Sequence, residues 1–384
     1  MKIVHINLCG PVTDNWTYQD NLLTKYQVKN GHEVTMITSQ YVWGTNGKIT
    51  IDNKQLYINE DDVKVIRLKN KFKTNINSKF KLYKNLFRNI NKENPDIIFV
   101  HGVQFLDLLT IIKFMKHNSK VKLYIDNHAD LNNSAQNFFS KWILHRVIWR
   151  FLAQKILPYT QKFYGVLPAR VKFLEDFYSI PSNLTELLVL GADDEYIKNY
   201  INDERVVKRR REFDIDKKDF LIVTGGKIDN GKKQIINLMK AINNINNANL
   251  KLLIFGSIDP TLKQEFDKNL TEKIRYIGWI NAKETYEIFN TADLVCFPGG
   301  HSVFWEQVVA IGKPLLVKDL DGISHLDFGG NIKYLRNDSS NEMTTKINQI
   351  LANENDYIRM QAVAQSSYKE NFYYSVIARK SIDN

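Results

Sequence analysis

The sequence predicts an α/β protein made of two parallel-sheet halves, and three observations carry that prediction. Its 384 residues exceed one ordinary core and suit two domains of about 190 residues. Residues 1–8 form an apolar run, residues 18–29 a helical stretch stopped by Asn30 and Gly31, and residues 33–38 a second apolar run. That spacing is a strand, a crossover helix and a parallel strand. The same alternation returns at residues 220–224, 250–255 and 293–297. Apolar residues at 43% and aromatics at 12% are enough to fill two cores.

In a parallel sheet ligands collect at the carboxyl ends of strands, so residues 10–19 are expected to face a cleft. They lack G-x-G-x-x-G, which argues against a nicotinamide or flavin enzyme. Residues 64–92 contain no acid. Phe80, Tyr83, Phe87 and Ile90 recur there at helical spacing, with Lys81, Lys84, Arg88 and Lys92 on another face. The stripe suits packing on the protein's own sheet, and an anionic membrane is the competing partner. His101 and His128 both end strands, and Asp126, Asn127 and Asp130 gather beside His128. Residues 131–174 are again free of acids. The cations Lys141, Arg146, Arg150 and Lys155 are expected to fan around a helix there, either snorkelling out or meeting an anionic acceptor.

The second half opens with a strand over residues 220–224. A glycine turn carries Gly226, Lys227, Lys232 and Lys233, and a helix follows over residues 234–245. Glycines at a strand end with lysines five and six residues apart can grip a diphosphate, although the turn is not a Walker loop. Backbone at Gly278 and Trp279, after the next strand, is placed to pair with a nucleobase edge.

Residues 297–318 read as a strand end, a glycine turn, a helix of three turns and another strand. Ser302 is the expected N-cap, and Gly312 with Pro314 is the stop. Free N–H groups across Gly300, His301, Ser302 and Val303, at the positive end of a helix, suit a phosphate. Glu306 lies one turn further in, where its carboxylate can accept from sugar hydroxyls. A capped strand-to-helix junction without ligand is the competing reading. Cys9 and Cys296 lie in apolar runs without metal spacing, as in a reducing compartment. The N-terminus goes straight into a strand and no apolar run approaches a membrane span, so a cytoplasmic location is expected. The formal charge of +11 calls for an anionic partner, and no nucleic-acid motif is present.

Taken together, these segments resemble bacterial retaining glycosyltransferases of family 4, with the GT-B fold. The resemblance rests on G-H-E-V at residues 31–34, N-P-D-I-I-F-V-H at 94–101 and V-L-G-A-D at 189–193. It continues through G-G-K-I-D-N-G-K at 225–232, Y-I-G-W-I at 276–280, T-A-D-L-V-C-F-P at 291–298 and E-Q-V-V-A-I-G-K-P at 306–314. It implies two Rossmann-like domains facing across a cleft, residues 1–185 and 186–371, with residues 372–384 crossing back to the first. The implied reaction moves a sugar from a nucleotide diphosphate, with a UDP-sugar favoured, to a lipid-linked glycan acceptor in cell-surface glycan assembly. Neither metal nor cofactor is implied.

The resemblance assigns His128 to the donor sugar, Lys227 and Lys232 to the departing diphosphate, and Glu306 to the ribose. The acceptor side falls to Asp14, Tyr18 and Gln19. The family's first glutamate is replaced by Pro298, its diphosphate arginine by Lys227, and its N-terminal glycine pair is missing. A nucleotide-sugar epimerase of the same architecture and a non-catalytic sugar-nucleotide or glycan-binding subunit are the alternatives. An anionic membrane at the inner face is a further expected partner.

Overall fold

The computed structural model describes residues 1–44, 48–73, 80–131, 133, 134 and 137–383. The chain divides into two compact units, Met1–Leu190 with Tyr374–Asn384, and Gly191–Tyr373. Both breaks fall slightly beyond the expected positions. The reason is local: Ala192 donates its N–H to the Phe372 carbonyl (2.9 Å) and bridges Tyr373, which ties both ends of the second unit together.

The first unit is built on β1 (Lys2–Asn7), β2 (Glu33–Ser39), the hairpin β3 (Tyr41–Trp43) and β4 (Ile49–Ile51), β5 (Leu56–Ile58) and β6 (Lys64–Leu68). It continues with β7 (Ile97–His101), β8 (Lys122–Asn127), β9 (Thr160–Gly165) and β10 (Thr185–Leu187). Eight of them form one sheet in the order β10-β9-β8-β7-β1-β2-β6-β5. All pairs are parallel except β5 with β6. Strands buried on both faces need apolar residues throughout, and Ile97–Val100 and Leu123–Ile125 supply them. The helix Gln19–Lys29 packs with the closing helix Tyr374–Lys380, whose Tyr374, Ile377 and Ala378 join the core beside Leu22, Leu23 and Tyr26.

Two expectations in this unit are corrected. Phe80, Tyr83, Phe87 and Ile90 do not form one buried stripe. The helix runs only over Leu86–Glu93 and is entered through Asn85 in a left-handed conformation (φ 64°). Tyr83 is held before it by a bridge to Asn70 and a bond from its N–H to Asp107 (2.6 Å). Tyr83 and Ile90 are therefore buried, while Phe80 and Phe87 are exposed. Lys81 leaves the expected cationic face and bonds the Cys9 carbonyl instead (2.7 Å). Residues 74–79 of that stretch lie outside the described ones.

The second unit has β11 (Phe220–Gly225), β12 (Leu250–Phe255), β13 (Ile274–Tyr276), β14 (Leu294–Phe297), β15 (Leu315–Lys318) and β16 (Ile332–Leu335). They form a wholly parallel sheet in the order β13-β12-β11-β14-β15-β16. Strand order reverses between β11 and β14. The connections leaving these two neighbours run to opposite sides, which opens a crevice at their carboxyl ends. Among the described residues no helix is long and apolar enough to cross a membrane.

Candidate functional site

The crevice of the second unit is built by two glycine turns. Gly225 ends β11 where an added Cβ would lie 2.5 Å from the Phe255 ring. Gly256, at the end of β12 with φ +121°, lies so close that a Cβ would stand 1.8 Å from the Gly226 carbonyl oxygen. Only glycine permits that approach. Gly226 itself takes φ +117° and turns the chain toward the helix Gln234–Asn244.

The turn after β14 is folded onto the first one. A Cβ on Gly299 would meet Gln234 Oε1 at 3.2 Å and both Cα and Cγ of Lys232 at 3.7 Å. The Lys232 ammonium lies 4.0 Å from the Cβ position of Gly226. Burial lowers the pKa of Lys232, with Asp229 opposing the shift. A desolvated cation lined by glycine backbone is a strong attractor for an anion. Lys227 lies differently. Its side chain is 73% exposed and pairs with Asp229 (3.3 Å) on the rim of the turn. Lys233 is the exposed N-cap residue of the following helix and makes no side-chain cap.

Ser302 does not cap the helix that follows. The helix spans Phe304–Ile311, its N-cap is Val303 without a side-chain bond, and Ser302 contributes its carbonyl to Trp305 N–H (3.0 Å). The stop at Gly312 is left-handed (φ 83°), as the sequence implies. Gly300 faces open space: an added Cβ would meet nothing within 4 Å.

Glu306 is fully buried, and its carboxylate is engaged from within the unit. His301 Nε2 donates to Oε1 at 2.8 Å and lies 3.1 Å from Oε2, while His325 Nε2 reaches Oε1 at 3.3 Å. Burial would raise the Glu306 pKa, but the charge and hydrogen bond of His301, then His325, win and bring it to about 2. The glutamate therefore orients two imidazoles as well as facing the helix start. His325, on a short turn after β15, carries no sequence signal that links it to Glu306. Its Nδ1, with Gln234 Oε1, Trp305 Nε1 and Gln307 Oε1, is buried without a hydrogen-bond partner. Gly278 (φ +75°) accepts from Gly256 N–H (2.7 Å), and the Trp279 side chain beyond it is 75% exposed.

The first unit carries a separate polar array that runs from the helix Gln19–Lys29 across β1 to the ends of β7 and β8. Gln27 Oε1 lies 2.6 Å from His5 Nε2, His5 Nδ1 lies 3.0 Å from His101 Nε2, and His101 Nδ1 lies 2.8 Å from Asp126 Oδ2. His128, partly exposed, approaches the same oxygen at 3.4 Å. Gln27 also bonds Ser381 (3.1 Å), so the array reaches the end of the closing helix. Burial and then the neighbouring His101 lower His5 to about 3. His101 is shifted the other way: burial would lower it, but Asp126 raises it. Burial likewise opposes ionisation of Asp126, and the two imidazoles still hold it well below the carboxylate range.

Among the described residues, His101, Asp126 and His128 are the group whose ligand atoms, all within 4.8 Å, can hold a metal ion. The short His101–Asp126 contact is equally a proton-holding pair. Asp14 is engaged by Tyr57 (2.7 Å) and lies 3.7 Å from Arg67, so it anchors the loop it sits on. Tyr18 is exposed, whereas Gln19 is buried with both amide atoms unpartnered. Sequence reasoning missed His5 and Gln27; the polar His5 inside an apolar strand was the available signal.

Three solved structures share the fold of the whole chain. A glycosyltransferase from Rickettsia africae superposes with a TM-score of 0.72 at 16% identity, covering 100% of this chain and 97% of that one. The HepE protein of Anabaena, in complex with UDP and glucose, gives 0.66 at 13% identity over 99% and 98%. The UDP-GlcNAc 2-epimerase of Neisseria meningitidis, bound to UDP-GlcNAc, gives 0.62 at 13% identity over 100% and 99%. Comparison with curated protein sequences gives no significant match. The whole-chain matches identify the fold as that of GT-B glycosyltransferases, as the sequence resemblance implied. Residues 207–367, which include both glycine turns, Glu306 and His325, match the family model described as glycosyl transferases group 1.

Proposed function

We propose that the chain is a glycosyltransferase that moves a sugar from a nucleotide diphosphate, a UDP-sugar, to a hydroxyl of a glycan acceptor. One observation carries the reading: Lys232 lies desolvated between the turns after β11 and β14, where the strand order reverses. A diphosphate fits there because Lys232 and the Gly300–Ser302 amides neutralise it, with Lys227 on the rim. Buried Gln234 and Trp305 atoms without partners on these turns are further groups able to meet a polar ligand. The bound UDP and UDP-sugar of the similar structures support the choice of base.

In the proposed reaction the bond between the anomeric carbon and the diphosphate oxygen breaks, and the electron pair leaves with the diphosphate. The acceptor hydroxyl bonds to the same face of the sugar, so configuration is retained. Its proton passes to an oxygen of the departing phosphate, so no separate base is needed. The negative charge growing on the diphosphate is stabilised by Lys232, Lys227 and the turn amides, without a metal. We assign His128 to the sugar, Gly278 and Trp279 to the base, and the residue 10–19 loop with Tyr18 and Gln19 to the acceptor. A lipid-linked glycan is the proposed acceptor class.

The fold match to the UDP-GlcNAc 2-epimerase favours one second reading, an epimerase. Incubation of the purified chain with UDP-glucose or UDP-GlcNAc, with and without a glycan acceptor mixture, separates the two. Transfer requires acceptor and releases UDP, whereas epimerisation proceeds without acceptor and releases none. Turnover that chelators abolish would contradict the metal-free mechanism.

A further inference from the structure

The acid-free residues 131–174 hold a surface that the transfer chemistry leaves unused. The helix Phe139–Trp149 has π-type hydrogen bonding and passes directly into the α-helix Arg150–Ile156. In the wider turn of a π-helix, residues four or five apart share a face. Phe138, Trp142, Ile143, Val147 and Phe151 stand at those spacings, and all five are exposed, Phe138 by 75% and Val147 by 61%. The opposite face is anchored. His145 is buried, bonded to the Tyr178 hydroxyl (2.7 Å) and edge-on to Phe173, and Trp149, Leu152, Ala153 and Ile156 are buried along the same side. The apolar ridge therefore cannot roll inward.

Cations border this ridge. Arg146 and Arg150 are exposed on one flank, and Lys155 lies near its end. The Arg146 guanidinium stacks 4.7 Å from the Trp142 ring centre, and the Lys155 ammonium lies 4.9 Å from that of Phe151. Scattered exposed apolar residues mean little. Five in line, edged by cations held against their rings and with no carboxylate in the segment, are the pattern of an interfacial helix.

We propose that this ridge docks on an anionic phospholipid bilayer. Phe138, Trp142, Val147 and Phe151 enter the boundary of headgroups and acyl chains, and Arg146, Arg150 and Lys155 meet lipid phosphates. Charge selects this occupant over a second copy of the chain, since pairing two ridges would bring like cations together. The docking is independent of the transfer reaction, so either can fail without the other.

The test is co-sedimentation of the full chain with vesicles of phosphatidylcholine alone or mixed with phosphatidylglycerol, with Trp fluorescence recorded in parallel. The wild type should bind the mixed vesicles, shift its emission to the blue, and release as salt is raised. F138S/V147S/F151S and, separately, R146E/R150E should each weaken binding at least about tenfold, with unchanged circular dichroism and Tm. A wild type that stays in solution, or variants that bind within about twofold of it, would overturn the proposal. So would a wild-type dimer that the ridge variant converts to a monomer in light scattering, since a second copy would then cover the ridge.

Discussion

The imidazole of His301 lies 2.8 Å from Oε1 of Glu306, inside the same turn that meets Lys232. A buried carboxylate with two imidazole donors is stable only as a set, because removing one member leaves the others desolvated and unpaired. Glu306→Gln keeps the shape but places an amide N–H₂ against one ring N–H. It should cost about 1–3 kcal/mol in urea unfolding.

The pH dependence of that pair has a definite sign. The Glu306 pKa is depressed from 4.5 to about 2 in the fold. Its contribution is therefore complete above the unfolded value of 4.5 and is lost as pH falls from there through about 2. Urea midpoints measured across that window should drop more steeply for the wild type than for Glu306→Gln. Parallel curves would show that the carboxylate is not held by His301 and His325.

His5 gives a second pH-dependent term from the first unit. Its pKa falls from 6.5 to about 3, mainly through burial and then through His101. The neutral ring thus contributes stability above pH 6.5 that is lost as pH falls toward 3. His101 has the opposite sign, since its raised pKa gives stability that is full below 6.5 and disappears as pH rises through the folded value. In NMR titrations Asp126→Asn should lower the His101 pKa, because the carboxylate that raises it is gone. An unmoved His101 would contradict the proton-holding role of Asp126.

The closing helix should behave as part of the first unit's core. Ile377 is buried beside Leu22, Leu23 and Tyr26. Ile377→Ala should cost about 2–5 kcal/mol, read from urea unfolding. A cost below about 0.5 kcal/mol would mean that the helix is only loosely attached.

Much of this was legible because parallel sheets write themselves plainly. Buried strands such as Leu294–Phe297 read as continuous apolar runs, and Gly225, Gly226 and Gly312 mark positions where backbone geometry leaves no substitute. What sequence could not show were contacts made across the fold. Ser302 matched a capping residue, yet its carbonyl closes the first turn while Val303 takes the cap position. The pairing of His325 with Glu306 spans nineteen residues and the strand β15, with no periodicity to announce it. The stripe through Phe80 and Phe87 failed because the left-handed Asn85 reset the helical phase. The ridge through Val147 was missed because its spacing belongs to a π-helix, whereas the reading assumed α.

The two lysines of the first glycine turn should separate cleanly. Lys232 is desolvated against Gly226 and Gly299, whereas Lys227 is exposed and paired with Asp229. Lys232→Ala should lower turnover about 100-fold or more, and Lys227→Ala by about tenfold or less. Equal losses would show that the rim lysine grips the diphosphate as firmly as the half-buried one.

Calorimetric titration of UDP into the wild type and Lys232→Ala tests the central claim most directly. The account predicts saturable binding by the wild type and a loss of at least about tenfold in affinity for the variant, with both proteins equally folded by circular dichroism. Equal affinities in the two proteins, or heat from neither, would contradict a diphosphate site between the turns after β11 and β14.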